Sequence, residues 1–211
     1  MNPSAMYQLS YGLFVLTARQ DGFDNGCVVN TVQQVTSSPN RIVVAVNKQN
    51  RTHDMIAATG AFNVSILSTD APFDLFRHFG FQSGHTVDKI TPWPDCRRSE
   101  NGLVYLGRYA NAFLSARVVQ QIDLGTHTLF LADVTDGEVL SSEAPVTYAY
   151  YHANIKPQAP KPSAPPEAGA ERKVKGWRCR ICGYVYDGEA LPKDFVCPIC
   201  KHGAEDFEPI Y

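Results

Sequence analysis

The sequence predicts a mainly β protein with short helices, followed by a small metal-knuckle unit. Three observations carry this. Short alternating apolar segments rich in β-branched and aromatic residues fill the region up to Tyr151. The composition then breaks into a proline-rich stretch, "PQAPKPSAPP". Beyond it stand two CxxC pairs, Cys179 with Cys182 and Cys197 with Cys200.

The elements read in order as follows. "YGLFVLTAR" is a strand ending in the turn-like "QDGFDNG". "CVVNTVQQVT" and "RIVVAVN" are strands joined by the turn "SSPN". "RTHDMIAATG" reads as a short helix ended by Gly60, and "APFDLFRHFG" as another, with the strand "AFNVSIL" between them. "GLVYLGRY", "AFLSARVVQQID", "HTLFLADVTDGEVL" and "VTYAYYH" complete the strands. Many strands with few short helices favour a barrel or sandwich over a doubly wound sheet. No GxGxxG follows a strand and no GxxxxGK[ST] occurs, which argues against Rossmann and P-loop nucleotide sites.

Composition narrows the function classes. The formal net charge of -2 gives no electrostatic case for nucleic acid or an anionic membrane surface. No apolar run approaches the ~20 residues that span a bilayer. "MNPSAMYQLS" lacks a basic n-region and an apolar h-region, the pattern expected of a cytoplasmic protein. In that setting paired CxxC motifs point to metal rather than disulfides. Cys27 and Cys96 stand alone and read as small buried or half-buried thiols.

The proline-rich stretch cannot form helix or ladder and favours extended backbone. It divides the chain into residues 1–153, a linker over 154–176, and residues 177–211. The last unit is too small to bury a self-sufficient core, so metal ligation must supply much of its folding free energy. Four thiolates suit zinc or iron, and spacing alone does not separate the two. Trp177, Tyr184, Tyr186, Phe195 and Phe207 give the site an aromatic wrapping of the kind that tunes a redox centre.

In the first unit, Asn30, Thr31, Gln33, Thr36 and Ser37 interrupt an otherwise apolar strand pattern. "NKQNRTHD" then places Asn47, Lys48, Asn50, Arg51 and Thr52 directly before a helix. A helix N-terminus with two added cations is a candidate phosphate cradle. The plainer alternative is Thr52 as an N-cap on an exposed turn. His53, His78, His127 and His202 read as solvated or capping side chains.

Two resemblances sharpen these readings. "WRCRICGYVYDG…FVCPICKHGAEDFE" resembles a rubredoxin domain. The 14 residues between the knuckles, and Lys201 where glycine is usual, are similar to the compact rubredoxin-like domains of rubrerythrins. This implies one iron held by Cys179, Cys182, Cys197 and Cys200. "GCVVNTVQQVTSSPNRIVVAVNKQNRTHDMIAATGAFNVSIL", "FGFQSGHTVDKI" and "YYHANIKP" are together similar to the flavin reductase family, which has an FMN-binding split β-barrel. By position the family implies Asn30, Thr31, Gln33 and Ser37 along the flavin ring and ribityl chain. It implies Asn47, Lys48, Asn50 and Thr52 at the phosphate, with Ser83, Gly84 and His85 closing the site. His85 stands where many relatives have arginine. His152 would lie near the reactive edge of the flavin, with an ordinary strand-end histidine as the alternative.

A flavin reductase-like barrel fused to a rubredoxin domain resembles the high-molecular-weight rubredoxins. The implied activity is NAD(P)H:rubredoxin oxidoreduction through FMN and iron, with a flavodiiron protein as acceptor for oxygen or nitric oxide reduction, and a homodimeric barrel. Two alternatives stand beside it. One is a flavin- or ligand-binding sensor with a zinc-ribbon interaction module. The other is a barrel that supplies free reduced flavin, with the ribbon incidental.

Overall fold

The computed structural model describes residues 3–157, 174–180, 184–197 and 203–210. It divides into two units, Met1–Pro157 and Gln158–Tyr211. The first is built on β1 (Phe14–Gln20), β2 (Phe23–Val29), β3 (Gln33–Ser37), β4 (Asn40–Asn47), β5 (Ala61–Leu67), β8 (Ala110–Asp123) and β9 (His127–Val139). These form one antiparallel sheet in the order β2-β1-β5-β8-β9-β4-β3. Helices α1 (Arg51–Thr59) and α2 (Phe73–Gly80) and the hairpin β6 (Cys96–Arg98)–β7 (Val104–Leu106) pack on this sheet.

The long strands β8 and β9 shift register between Ser115 and Ala116 and again between Val118 and Gln120. Such bulges increase twist and bend the sheet. The β1–β5 half and the β4–β9 half thereby share one core of Leu16, Val44, Val46, Ile56, Phe62, Val64 and Phe130. The opposite face of β1 is buried as well. Val15 packs with Leu67, Leu75, Phe76, Phe79 and Leu106 beneath α2 and β7. Period-two alternation thus places successive β1 residues in two different cores.

The structure corrects three of the expected elements. Residues Phe23–Gly26 belong to strand β2, so the turn is only Asp21 and Gly22. Their φ values of 52° and 85° are those of a two-residue hairpin turn whose twist matches the strands. "CVVNTVQQVT" is not one strand, because the chain breaks between Val29 and Gln33. There the Thr31 hydroxyl donates to Ala45 O (2.8 Å) and accepts from Ala45 N (3.1 Å), replacing a backbone pair. "VTYAYYH" is helical, with α3 (Tyr148–Tyr150) running into a π-helical turn at Tyr151–Ile155. Thr147 caps it by accepting from Tyr150 N (3.1 Å). Tyr148 and His152 meet at 4.5 Å, and Tyr151 meets Phe76 at 4.5 Å. These contacts follow helical spacing rather than alternation.

Two polar seams run through this unit. In one, buried Asn63 of β5 donates to Ser99 Oγ (2.7 Å), Leu103 O (3.1 Å) and Val104 O (3.2 Å), and accepts from Asn101 Nδ2 (2.9 Å). This fixes the β6–β7 hairpin against the barrel. In the other, Thr52 of α1 accepts from Asn25 Nδ2 (3.1 Å) and hydrogen-bonds the Cys27 thiol, tying β2 to the helix. Lys89, 3% exposed, donates its Nζ to Gly26 O (3.0 Å) and Phe79 O (2.9 Å). It forms no ion pair among the described residues, and burial lowers its pKa.

In the second unit, β10 (Gly176–Cys179) lies between β11 (Val185–Tyr186) and β12 (Phe207–Ile210). Phe195 packs on Tyr186 at 4.7 Å and on Phe207 at 5.4 Å. Among the described residues no helix is long and apolar enough to cross a membrane.

Asn63→Ala should cost about 1–3 kcal/mol in thermal or denaturant unfolding, because it removes four hydrogen bonds from the buried polar cluster between β5 and the β6–β7 hairpin. Burial raises the Cys27 pKa, against the opposing pull of Thr52 and Lys89. The protonated thiol therefore adds stability that is complete below the unfolded value of ~8.5 and is lost as pH rises through the native value. The stability advantage of the wild type over Cys27→Ala should shrink as denaturation is measured from pH 7 toward pH 10.

Candidate functional site

The first unit gathers its candidate binding groups where β4 turns into α1. Asn47 Oδ1 accepts from Gln49 N (2.9 Å), and Asn50 N donates to Asn47 O (3.0 Å), so the helix begins sharply at Arg51. Asn50 is the N-cap, with extended φ and ψ of -82° and 128°, but its side chain makes no capping bond. Thr52 is not the cap. It lies one residue inside α1, fully buried, with its hydroxyl committed to Asn25 and Cys27. The Asn50 side chain caps no first-turn N–H group, while its carbonyl accepts from His53 N (2.9 Å).

The loop after α2 is pressed against this point. A Cβ on Gly84 would stand 2.2 Å from Asn25 Nδ2, so only glycine allows the approach. The Arg51 guanidinium donates to Gly84 O (3.4 Å). Ser83 Oγ accepts from His85 N (3.3 Å) and leaves the His85 ring exposed. Asp88 accepts from Ile90 N (2.9 Å) and Thr91 N (3.0 Å), and hydrogen bonds to Thr91 and Ile90 hold its carboxyl below the usual range. The structure thus brings Asn50, Arg51 and Thr52 together with Ser83, Gly84 and His85.

The remaining sequence candidates fall in three places. Gln33 and Ser37 lie on β3, a fully exposed strand at the sheet edge, and Asn30 and Thr31 lie in the break before it. Lys48 binds Asp123 at 2.7 Å, joining the turn before α1 to the β8–β9 hairpin and lowering the Asp123 pKa. His152 sits on the π-helical turn, not at a strand end. Its ring lies against Tyr148 and Tyr151 (5.3 Å), and burial, with Lys156 adding to it, lowers its basicity.

Two histidines expected to be solvated or capping are instead packed. His53 meets Thr128 Oγ1 at 2.9 Å and packs on Phe130, because its position on α1 faces β9. His78 donates to Lys89 O (2.7 Å) and packs on Phe79 and Trp93. Sequence reasoning missed Asn25 and Lys89. Asn25 was hidden inside "QDGFDNG" by the turn reading, whereas strand register places Asn25 and Cys27 on one face. Lys89 stands in the quoted "FGFQSGHTVDKI", where its role in anchoring the loop leaves no mark in the pattern.

In the second unit Cys179 and Cys197 are buried to 1% and 0% exposure. Cys182, Cys200, Lys201 and His202 lie outside the described residues. Cys179 N donates to Tyr184 O (2.8 Å), and Arg180 N donates to Asp206 O (2.8 Å), so the ladder fixes the start of the first knuckle. Two shielded soft donors beside an aromatic cluster fit one member of each CxxC pair in an all-thiolate metal site.

The comparisons agree with this division. The model of the flavin reductase like domain matches residues 6–157, and that of the rubrerythrin, rubredoxin-like domain matches residues 177–208. A high molecular weight rubredoxin of Moorella thermoacetica is 40% identical over 100% of both chains. A ferric-chelate reductase (NAD(P)H) of Archaeoglobus fulgidus is 37% identical over 76% of this chain and 95% of its own. The solved flavin reductase PheA2 superposes with a TM-score of 0.56 and 26% identity, over 68% of this chain and 88% of its own. On this agreement of barrel, cysteine unit and end-to-end similarity, the chain is an oxidoreductase that belongs to the flavin reductase-like family, among its high molecular weight rubredoxins.

Proposed function

We propose that the chain transfers electrons from NAD(P)H through FMN in the barrel to an iron held by Cys179, Cys182, Cys197 and Cys200. When bound, the flavin accepts reducing equivalents in pairs and the iron carries them singly, onward to a flavodiiron protein that reduces oxygen or nitric oxide. The observation that carries the reading is the convergence of α1, Arg51 and the Ser83–His85 loop on one point, in a chain that also carries the buried cysteines.

The chain's own residues divide the work. Asn30, Thr31, Gln33 and Ser37 line the ring and ribityl chain. Asn47, Asn50 and the backbone N–H of Thr52 meet the phosphate, because the Thr52 hydroxyl is already used. Ser83, Gly84 and His85 close over it. Lys48 joins the phosphate contacts only by exchanging its bond to Asp123. His152 stays neutral at pH 7, since its shift is downward, and takes the role of a polar group at the ring edge. The proline-rich segment between the units acts as a tether. The barrel forms a homodimer, supported by exposed Val35, Val119, Ile122 and Leu124 on β3 and the β8–β9 hairpin.

Anaerobic addition of NADH to the full chain loaded with flavin and iron should bleach both chromophores. Bleaching of the flavin alone would contradict internal transfer, and a colourless zinc-bearing chain would favour the sensor alternative. Asp123→Asn should release Lys48 and tighten FMN binding by up to about fivefold at low salt, the worth of an exposed ion pair. Flavin fluorescence titration reads this directly, and weaker binding would remove Lys48 from the phosphate contacts.

A further inference from the structure

Among the described residues Lys89 is the one charged side chain that is buried. Its Nζ donates to Gly26 O (3.0 Å) and Phe79 O (2.9 Å). These carbonyls satisfy its hydrogens but replace only part of the hydration that an ammonium loses on burial. Buried lysine is rare unless it is paired with an opposite charge. Lys89 has no ion pair among the described residues.

The carboxylates on the surrounding elements are engaged elsewhere. Asp24 of β2 binds Arg98 and Arg19, Asp74 of α2 binds Arg77, and Asp54 of α1 meets His53. Asp88, the preceding residue, is exposed and accepts from Ile90 N and Thr91 N. The Cys27 thiol of β2 interacts electrostatically with Lys89, but burial raises its pKa, so it brings no negative charge at pH 7. His78 of α2 donates to the Lys89 carbonyl and brings none either.

This charge stands close behind the candidate phosphate cradle. Gly26 follows Asn25, whose amide donates to Thr52 of α1 and abuts Gly84. The ammonium therefore sits one residue along β2 from the contact that joins the helix start to the loop. Burial lowers its pKa, so any anion held in front of it would relieve an under-solvated cation. Two unit charges ~10 Å apart at an effective dielectric of ~20 change an equilibrium by about tenfold. A neutral ligand gains nothing from the same field.

We propose that Lys89 sets the preference of the barrel for a phosphorylated over an unphosphorylated flavin, acting through the protein interior as the charge that the ligand phosphate neutralises. It determines specificity without touching the ligand. Binding of the anion in turn stabilises the protonated form of Lys89, so the two events are linked. The inference rests on the flavin reading for the identity of the anion.

The test titrates the flavin-free full chain with FMN and with riboflavin from about pH 7 to about pH 10, where the FMN phosphate stays a dianion. The Lys89 ammonium is present below its lowered native pKa and is lost as pH rises through it. The preference for FMN over riboflavin should therefore fall by about tenfold over that rise. Calorimetry near pH 9, in two buffers of different ionisation enthalpy, should show proton uptake with FMN and none with riboflavin. Lys89→Gln keeps an amide donor for the two carbonyls and removes the charge. It should bind FMN about tenfold more weakly at pH 7, leave riboflavin unchanged, and abolish both the uptake and the fall with pH. Lys89→Met is the second variant, and both should behave alike. Cys27→Ala removes the other buried titratable group and should leave the uptake in place, which holds the assignment even where a Lys89 variant fails to fold. A residue that only fixes the loop would give no proton uptake in the wild type and the same pH profile in wild type and variants; either result overturns the proposal. Failure of FMN itself to bind overturns the flavin reading instead. Inorganic pyrophosphate titrated in the same two buffers then decides Lys89: proton uptake supports it, and binding without uptake, or no binding, overturns it.

Discussion

The buried contact between Asn25, Thr52 and Cys27 is the constraint on which the barrel's binding face depends. It joins a strand, a helix and, through the glycine that alone fits against Asn25, the loop after α2. A helix N-terminus attracts anions only where its N–H groups stay open and its position is fixed. Here the N-cap side chain, Asn50, makes no capping bond. The Thr52 hydroxyl serves the core rather than the helix end. Lys89 performs the matching task on the loop, by satisfying two carbonyls that β2 and α2 would otherwise leave buried. A buried ammonium is costly, and its lowered pKa records that cost. Its role in fixing the loop offsets it.

The two units are stabilised by different physics. The barrel buries aliphatic and aromatic side chains on both faces of β1 and needs no external ligand to form a core. Among its described residues the second unit has a three-stranded ladder of two to four residues per strand and one small aromatic cluster. That is too little apolar burial for independent stability, so metal binding and folding are coupled there. The same coupling keeps a redox centre rigid and shielded, which suits rapid one-electron exchange.

Legibility in the sequence followed the range of the interactions. β5 was readable from alternation alone, and α1 from its terminating Gly60, because both signals are local. The start of β2 was not, because Asp21 and Gly22 make a turn of only two residues and the neighbouring Asn25 mimics turn composition. The helical turn at Tyr148–Ile155 was hidden by aromatic residues that also favour strands, and contact with Phe76 decides the matter. Among site residues, Asn50 and Gly84 were placed by the family resemblance alone, and the reading from local pattern put the N-cap at Thr52 rather than at Asn50. The pairing of Lys48 with Asp123 spans 75 positions and leaves no trace in either segment. The paired CxxC motifs were the clearest local signal of a rubredoxin-like unit, and the family match over residues 177–208 agrees with them.

The central claim is that the α1 turn and the glycine loop form a preset cradle for a phosphate on a flavin. Equilibrium affinities of the flavin-free full chain for FMN and for riboflavin, which differ only in that phosphate, test it most directly. The account predicts that FMN binds at least about tenfold more tightly, the worth of one charge-assisted hydrogen bond. Equal affinities would contradict it.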